Sequence, residues 1–127
     1  MKPIRRKVLI VDDSDSDRDV LKNILRNDFN ILEAQSGFAA LNMISEKKKE
    51  LDVIFLDISM PVLNGFAVLE NMKEKKITNI CIFMITSEAT KENVEKAAGF
   101  HIAGFIKKPY DADDIIKRVK EALGDCE

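Results

Sequence analysis

Val8-Leu9-Ile10-Val11-Asp12-Asp13-Ser14 sets four apolar residues directly against two carboxylates and a hydroxyl. Three further segments are built the same way. Val53-Ile54-Phe55-Leu56 ends at Asp57, Ile80-Cys81-Ile82-Phe83-Met84-Ile85 ends at Thr86, and Phe105-Ile106-Lys107 ends at Lys108-Pro109. A short apolar run bounded by polar residues reads as a strand buried on both faces, the pattern of a parallel sheet. In an open parallel sheet, ligands bind outside the carboxyl ends of the strands. The four runs therefore predict three carboxylates (Asp12, Asp13, Asp57), one hydroxyl (Thr86) and one ammonium (Lys108) along one sheet edge. That set suits phosphoryl chemistry around a metal ion.

Between these runs the apolar spacing turns helical. Residues 14–26 carry Val20, Leu21, Ile24 and Leu25, residues 36–46 carry Phe38, Leu41 and Ile44, and residues 65–75 carry Phe66, Leu69 and Met72. Residues 111–123 carry Ile115, Ile116, Val119 and Leu123. Residues 87–98 are expected as the remaining helix, 29–32 as a weaker second strand and 102–106 as the fifth strand. Five βα units in one small chain predict a single α/β domain over 1–127, with 1–6 and 124–127 as flanks: a doubly wound, parallel, five-stranded (βα)5 sheet. The strand order 2-1-3-4-5 of flavodoxin-like sheets makes strands 1, 3, 4 and 5 consecutive neighbours, about 4.8 Å apart. Strand 2 becomes an edge and ends in Glu33-Ala34. Topology and chemistry thus support one another.

At 127 residues the chain is long enough to bury a core, and 46% hydrophobic with 33% charged residues is a globular composition. A net charge of −2 gives no support for a nucleic-acid binder. The runs Lys47-Lys48-Lys49 and Lys73 to Lys76 read as solvated helix ends in preference to phosphate-backbone contacts. The apolar stretch near the start is cut after four residues by Asp12, so it is no signal peptide, and nothing approaches the length of a membrane span. Cys81 lies in an apolar run and Cys126 at the tail, so neither suggests a disulfide framework, and the expected location is the cytoplasm. No repeat or linker is evident. The chain is expected either to stand alone or to be a module of something larger.

Three carboxylates crowded at adjacent strand ends repel one another and raise their own pKa values. A hard divalent cation relieves this, and Mg²⁺ typically uses one or two carboxylates with waters and phosphate oxygens. The ion would keep Asp57 ionised as a nucleophile, Lys108 would face phosphoryl oxygens, and Thr86 would donate to one of them. Each residue also has a plainer reading. Asp13 or Ser14 could cap the first helix, Thr86 or Ser87 the fourth, and Lys108-Pro109 could be an exposed turn. Four such coincidences at four neighbouring strand ends explain the pattern poorly. The acidic stretch Asp12 to Asp19 is not a calcium loop, because Arg18 and Ile24 fall where such a loop needs Gly and Glu. An aspartyl-phosphate hydrolase of the haloacid dehalogenase type would carry an Asp where Ser59 stands. His101, between Phe100 and Ile102, reads as a packing or surface residue.

With those residues in hand, the chain resembles the receiver domain of bacterial two-component response regulators over essentially its whole length. The resemblance rests on Val8 to Ser14, on Leu56-Asp57-Ile58-Ser59-Met60-Pro61 with Asn64-Gly65, on Ile85-Thr86-Ser87 and on Lys107-Lys108-Pro109. It implies that Asp57 accepts a phosphoryl group from a histidine kinase or a histidine phosphotransfer protein. It implies Mg²⁺, or Mn²⁺, held by Asp13 directly, Asp12 largely through water, Asp57, and the backbone carbonyl of Ser59. Lys108 would contact the acyl phosphate. Thr86 and Phe105 match the family's switch pair, whose movement alters the face of helix 4, strand 5 and helix 5 for a downstream target or output domain. Phe105 could equally be core, and Ser59 and Glu88 match positions that tune phosphoryl lifetime.

The resemblance further implies a self-phosphorylating switch without turnover activity, working with no direct nucleic-acid or membrane contact, as a monomer or weak dimer. The alternatives are a receiver module of a larger regulator or hybrid kinase, an aspartyl-phosphate-forming phosphatase, and an inactive pseudo-receiver. One departure concerns the segment before strand 5, usually Gly-Ala-x-x-Tyr and here His101-Ile102-Ala103-Gly104-Phe105. Ala103 and Gly104 also lack the acidic residues that DNA-binding relatives use in dimers through helices 4 and 5.

Overall fold

The computed structural model describes residues 5–124. Ten elements alternate along it: β1 (Lys7–Val11), α1 (Asp15–Leu25), β2 (Asn30–Ala34), α2 (Gly37–Lys47), β3 (Leu51–Asp57), α3 (Gly65–Glu74), β4 (Cys81–Thr86), α4 (Lys91–Ala97), β5 (Gly104–Lys107) and α5 (Ala112–Ala122). The strands form one parallel sheet in the order 2-1-3-4-5, as the sequence predicts. The expectations for Cys126 and for most of the two flanks fall outside the described residues.

Alternation along the strands splits the core into two layers. Leu9, Val11, Ile54, Leu56, Ile82 and Met84 face α2 and α3, meeting Ala40, Ile44, Val68, Leu69 and Met72. Val8, Ile10, Val53, Phe55, Phe83 and Ile85 face the other way, onto Leu21 and Leu25 of α1 and Ile115 and Val119 of α5. Both layers are made of buried apolar side chains, and a fully buried side chain of this size contributes about 1.5–3 kcal/mol. Phe55 and Phe83 stack at 5.5 Å between centroids on neighbouring strands. Each helix opens on a side chain that accepts a backbone N–H of its first turn: Ser14, Ser36, Asn64, Thr90 and Asp111.

Three sequence expectations change. The fourth helix begins at Lys91, not at 87, with Thr90 as its cap, so neither Thr86 nor Ser87 caps it. Phe38 is 58% exposed, because α2 docks through Gly37, Ala40 and Ile44. A Cβ on Gly37 would lie 2.5 Å from the Leu63 carbonyl oxygen, and that close approach sets the helix's rotation. Val20 is likewise half exposed, leaving Leu21 and Leu25 as the buried stripe of α1. The lysine runs do lie at helix ends, with Lys47 in the last turn of α2 and Lys73 in that of α3. Cys81 is a free thiol that donates to the Ala122 carbonyl, and burial pushes its pKa up. Among the described residues no helix is long and apolar enough to cross a membrane.

Candidate functional site

Register gathers the polar strand ends. Val11 pairs with Leu56, Asp57 with Ile85, and Thr86 with Lys107, so Asp12 follows β1 level with Asp57, Thr86 stands one residue beyond that level at the end of β4, and Lys108 follows β5 one residue beyond Thr86. One carboxylate oxygen each from Asp12, Asp13 and Asp57 lies within 4.8 Å of the others. Asp12 and Asp57 are buried, and Asp13 is exposed at the mouth. Such a group of hard oxygen donors can hold a divalent cation.

Lys108 closes the cluster from the far side. Its Nζ donates to Asp12 Oδ2 and to Asp17 Oδ2, each at 2.8 Å, and stands 3.8 Å from Asp57 Oδ1. Burial works against its charge, but the Asp12, Asp17 and Asp57 carboxylates overcome that and raise its pKa. The pKa of Asp57 is raised as well, which for an acid favours the neutral form. Burial first, and the facing Asp12 carboxylate next, push its carboxyl up to about 7, against the pull of Lys108. A divalent cation held among these carboxylates would oppose that displacement.

Ser14 caps α1, as one of the plainer readings held, while Asp13 remains in the carboxylate cluster. Asp12 also organises the backbone, since its Oδ1 accepts the Ser14 N–H at 3.0 Å. Thr86 is buried, but its hydroxyl serves its own loop: Oγ1 donates to the Glu88 carbonyl at 2.7 Å and accepts the Glu88 N–H at 3.0 Å. Phe105 is half-buried, packed on the α2–α3 layer opposite Met84. Ser59 is exposed on the β3–α3 loop, and His101 is a surface residue. Gly65 has a structural duty here, because a Cβ on it would lie 2.5 Å from the Asp57 carbonyl oxygen.

Three neighbours escape a sequence reading. Asp17 bonds to Lys108. The Arg18 guanidinium is largely buried, donates to the Asp12 carbonyl at 2.7 Å and pairs with Asp15 and Glu33. Tyr110 buries its hydroxyl beside the cluster, and burial raises its pKa. The signal for Asp17 was its place in the first turn of a predicted helix. Arg18 and Tyr110 offered none.

Comparison with known proteins agrees with this geometry. The chain is 38% identical over 109 residues to the chemotaxis protein CheY-3 of Vibrio cholerae, covering 84% of this chain and 82% of that one. It is 29% identical over 118 residues to the sensor histidine kinase CheAY of Helicobacter pylori, matching 91% of this chain but only 15% of that longer protein. Among solved structures, the CheX–CheY–BeF3–Mg complex from Borrelia burgdorferi matches with a TM-score of 0.86 and 31% identity, over 94% of this chain and 90% of that one. The family model for the response regulator receiver domain matches residues 8–120, and the chain belongs to that family.

Proposed function

We propose that this chain is a phosphorylation switch in a two-component or phosphorelay system, with Asp57 as its phosphoacceptor. The observation that carries the reading is the placement of Asp57: buried at the end of β3, within a tight carboxylate group and 3.8 Å from the Lys108 ammonium. A phosphohistidine of a histidine kinase or histidine phosphotransfer protein is the donor. An Asp57 oxygen forms the new P–O bond as the donor's P–N bond breaks, and the electron pair leaves with the imidazole nitrogen.

Asp12, Asp13, Asp57 and the Ser59 carbonyl would hold Mg²⁺ or Mn²⁺, which when bound supplies positive charge to the phosphoryl oxygens. Lys108 then contributes the fixed cation of the protein itself. The Thr86 hydroxyl leaves Glu88 to donate to a phosphoryl oxygen, and Phe105 turns inward behind it. The surface of α4, β5 and α5 changes with them and is read by a downstream partner. The product is the modified protein itself, so no turnover activity is expected, and the cytoplasm is the expected site of action. That the kinase CheAY contains a matching segment favours a second reading, the same switch as a module of a longer protein.

The test is incubation with acetyl phosphate, followed by intact-protein mass. One phosphoryl adduct that requires Mg²⁺ and is lost in Asp57→Asn is expected. An equal adduct in Asp57→Asn, or none in the wild type with Mg²⁺ bound, overturns the proposal.

A further inference from the structure

Lys108 has a partner for which the phosphoryl chemistry has no use. Asp17 is the third residue of α1, whose cap is Ser14. In a capping box a Glu or Gln at that place reaches back to the N–H of the cap residue. Here the Ser14 N–H is already bonded to Asp12 Oδ1 at 3.0 Å. The Asp17 carboxylate is therefore released from the helix end and bonds to Lys108 Nζ at 2.8 Å. Complementing the helix dipole explains an acid in this first turn, a part that Asp15 also fills. It does not explain a bond to a lysine 91 residues away.

We propose that Asp17 is a latch on Lys108. It holds the ammonium toward α1 in the unphosphorylated protein and competes for it with the phosphoryl oxygens once Asp57 is modified. The inference rests on Asp57 being the phosphoacceptor. Asp17 is a positioning residue, acting on the phosphoryl group only through Lys108.

An ammonium has three N–H donors. Two are spent on Asp12 and Asp17, and Asp57 lies beyond hydrogen-bond reach at 3.8 Å. Asp12 and Asp57 would both be shielded by a divalent cation held between them, which would leave Asp17 as the carboxylate pulling on Lys108. The third N–H is free for a phosphoryl oxygen, but Asp57 stands 3.8 Å away, so the ammonium gives that oxygen a full charge-assisted hydrogen bond by moving toward it and lengthening its bond to Asp17. The ammonium keeps its proton throughout. Because Asp17 is 40% exposed, water replaces the lost partner and the cost stays moderate. The latch therefore tunes the switch without blocking it.

The test uses the full chain at saturating Mg²⁺ with beryllofluoride as the phosphoryl stand-in. Affinity is read from backbone amide NMR shifts, and the ammonium from the Lys108 ¹⁵Nζ signal. Asp17→Asn is expected to bind beryllofluoride about three- to fivefold more tightly, the upper size of a half-exposed charge pair. It should also move the Lys108 ¹⁵Nζ signal before beryllofluoride is added. Asp17→Glu keeps a carboxylate within reach and is expected to remain within about twofold of the wild type. Asp19→Asn removes an exposed carboxylate from the same helix and separates a latch from general repulsion; it too is expected to stay near the wild type. Unchanged binding in Asp17→Asn, or equal tightening in Asp19→Asn, overturns the latch and leaves the phosphoacceptor reading standing. A wild type that takes up no beryllofluoride removes both.

Discussion

Replacing Asp57 by Asn is expected to stabilise the metal-free protein, although it destroys the proposed phosphorylation site. The Asp57 carboxyl is displaced from its ordinary 3.8 to about 7 by burial and by Asp12. The folded protein thus holds a proton that the unfolded chain releases near pH 4. Stability consequently falls as pH rises from about 4 to about 7, and above that the whole penalty is present. A rise of about three pH units at 1.36 kcal/mol per unit sets a ceiling of about 4 kcal/mol. Asn presents a neutral side chain of the same shape and escapes the penalty. Lys108 loses one attraction in exchange, but Asp12 and Asp17 still hold it, so about 1 kcal/mol is returned. Urea denaturation in EDTA at pH 8 should show Asp57→Asn more stable by about 2–3 kcal/mol. Near pH 4 the gap should shrink below about 1 kcal/mol, and Mg²⁺ at pH 8 should narrow it by stabilising the wild type. Equal stability at pH 8, or a less stable Asn variant, would mean that Lys108 already neutralises the site and would refute the reasoning.

Other substitutions test single contacts. Gly65→Ala drives a Cβ to 2.5 Å from the Asp57 carbonyl oxygen and should cost about 1–3 kcal/mol in urea denaturation and slow acetyl-phosphate labelling. Gly99→Ala, whose Cβ meets nothing nearer than 3.6 Å, should do neither. Tyr110→Phe should stabilise by about 1 kcal/mol by thermal or urea melt, since the buried hydroxyl has no hydrogen-bond partner among the described residues. Val62 stands at φ 68° and is 92% exposed, so Val62→Asn should relieve left-handed strain and gain about 1 kcal/mol in the same melt.

The sheet and its polar edge were legible because each central strand is an apolar run that stops at a polar residue of the cluster. The strand order was that of flavodoxin-like sheets, which sets those stops on neighbouring strands, whereas the register was not legible. Helix rotation was less legible. Phe38, Leu41 and Ile44 fit a helical stripe about as well as Gly37, Ala40 and Ile44. Only the close approach of Gly37 to Leu63 decides between them. The start of α4 was ambiguous because Thr86, Ser87 and Thr90 are all residues that cap helices. The Thr86 hydroxyl closes a turn on Glu88, and Thr90 takes the cap. The bond from Asp17 to Lys108 joins residues on separate elements, and no local pattern announces it.

The central claim is that Asp57 itself carries the phosphoryl group. Borohydride reduces an acyl phosphate to the alcohol, so treating acetyl-phosphate-loaded, Mg²⁺-containing protein and sequencing its peptides by mass locates the modified carboxyl. The account predicts homoserine at position 57, absent when Mg²⁺ is chelated. Homoserine at position 12 or 13, or no conversion in a sample whose intact mass shows the adduct, would contradict it.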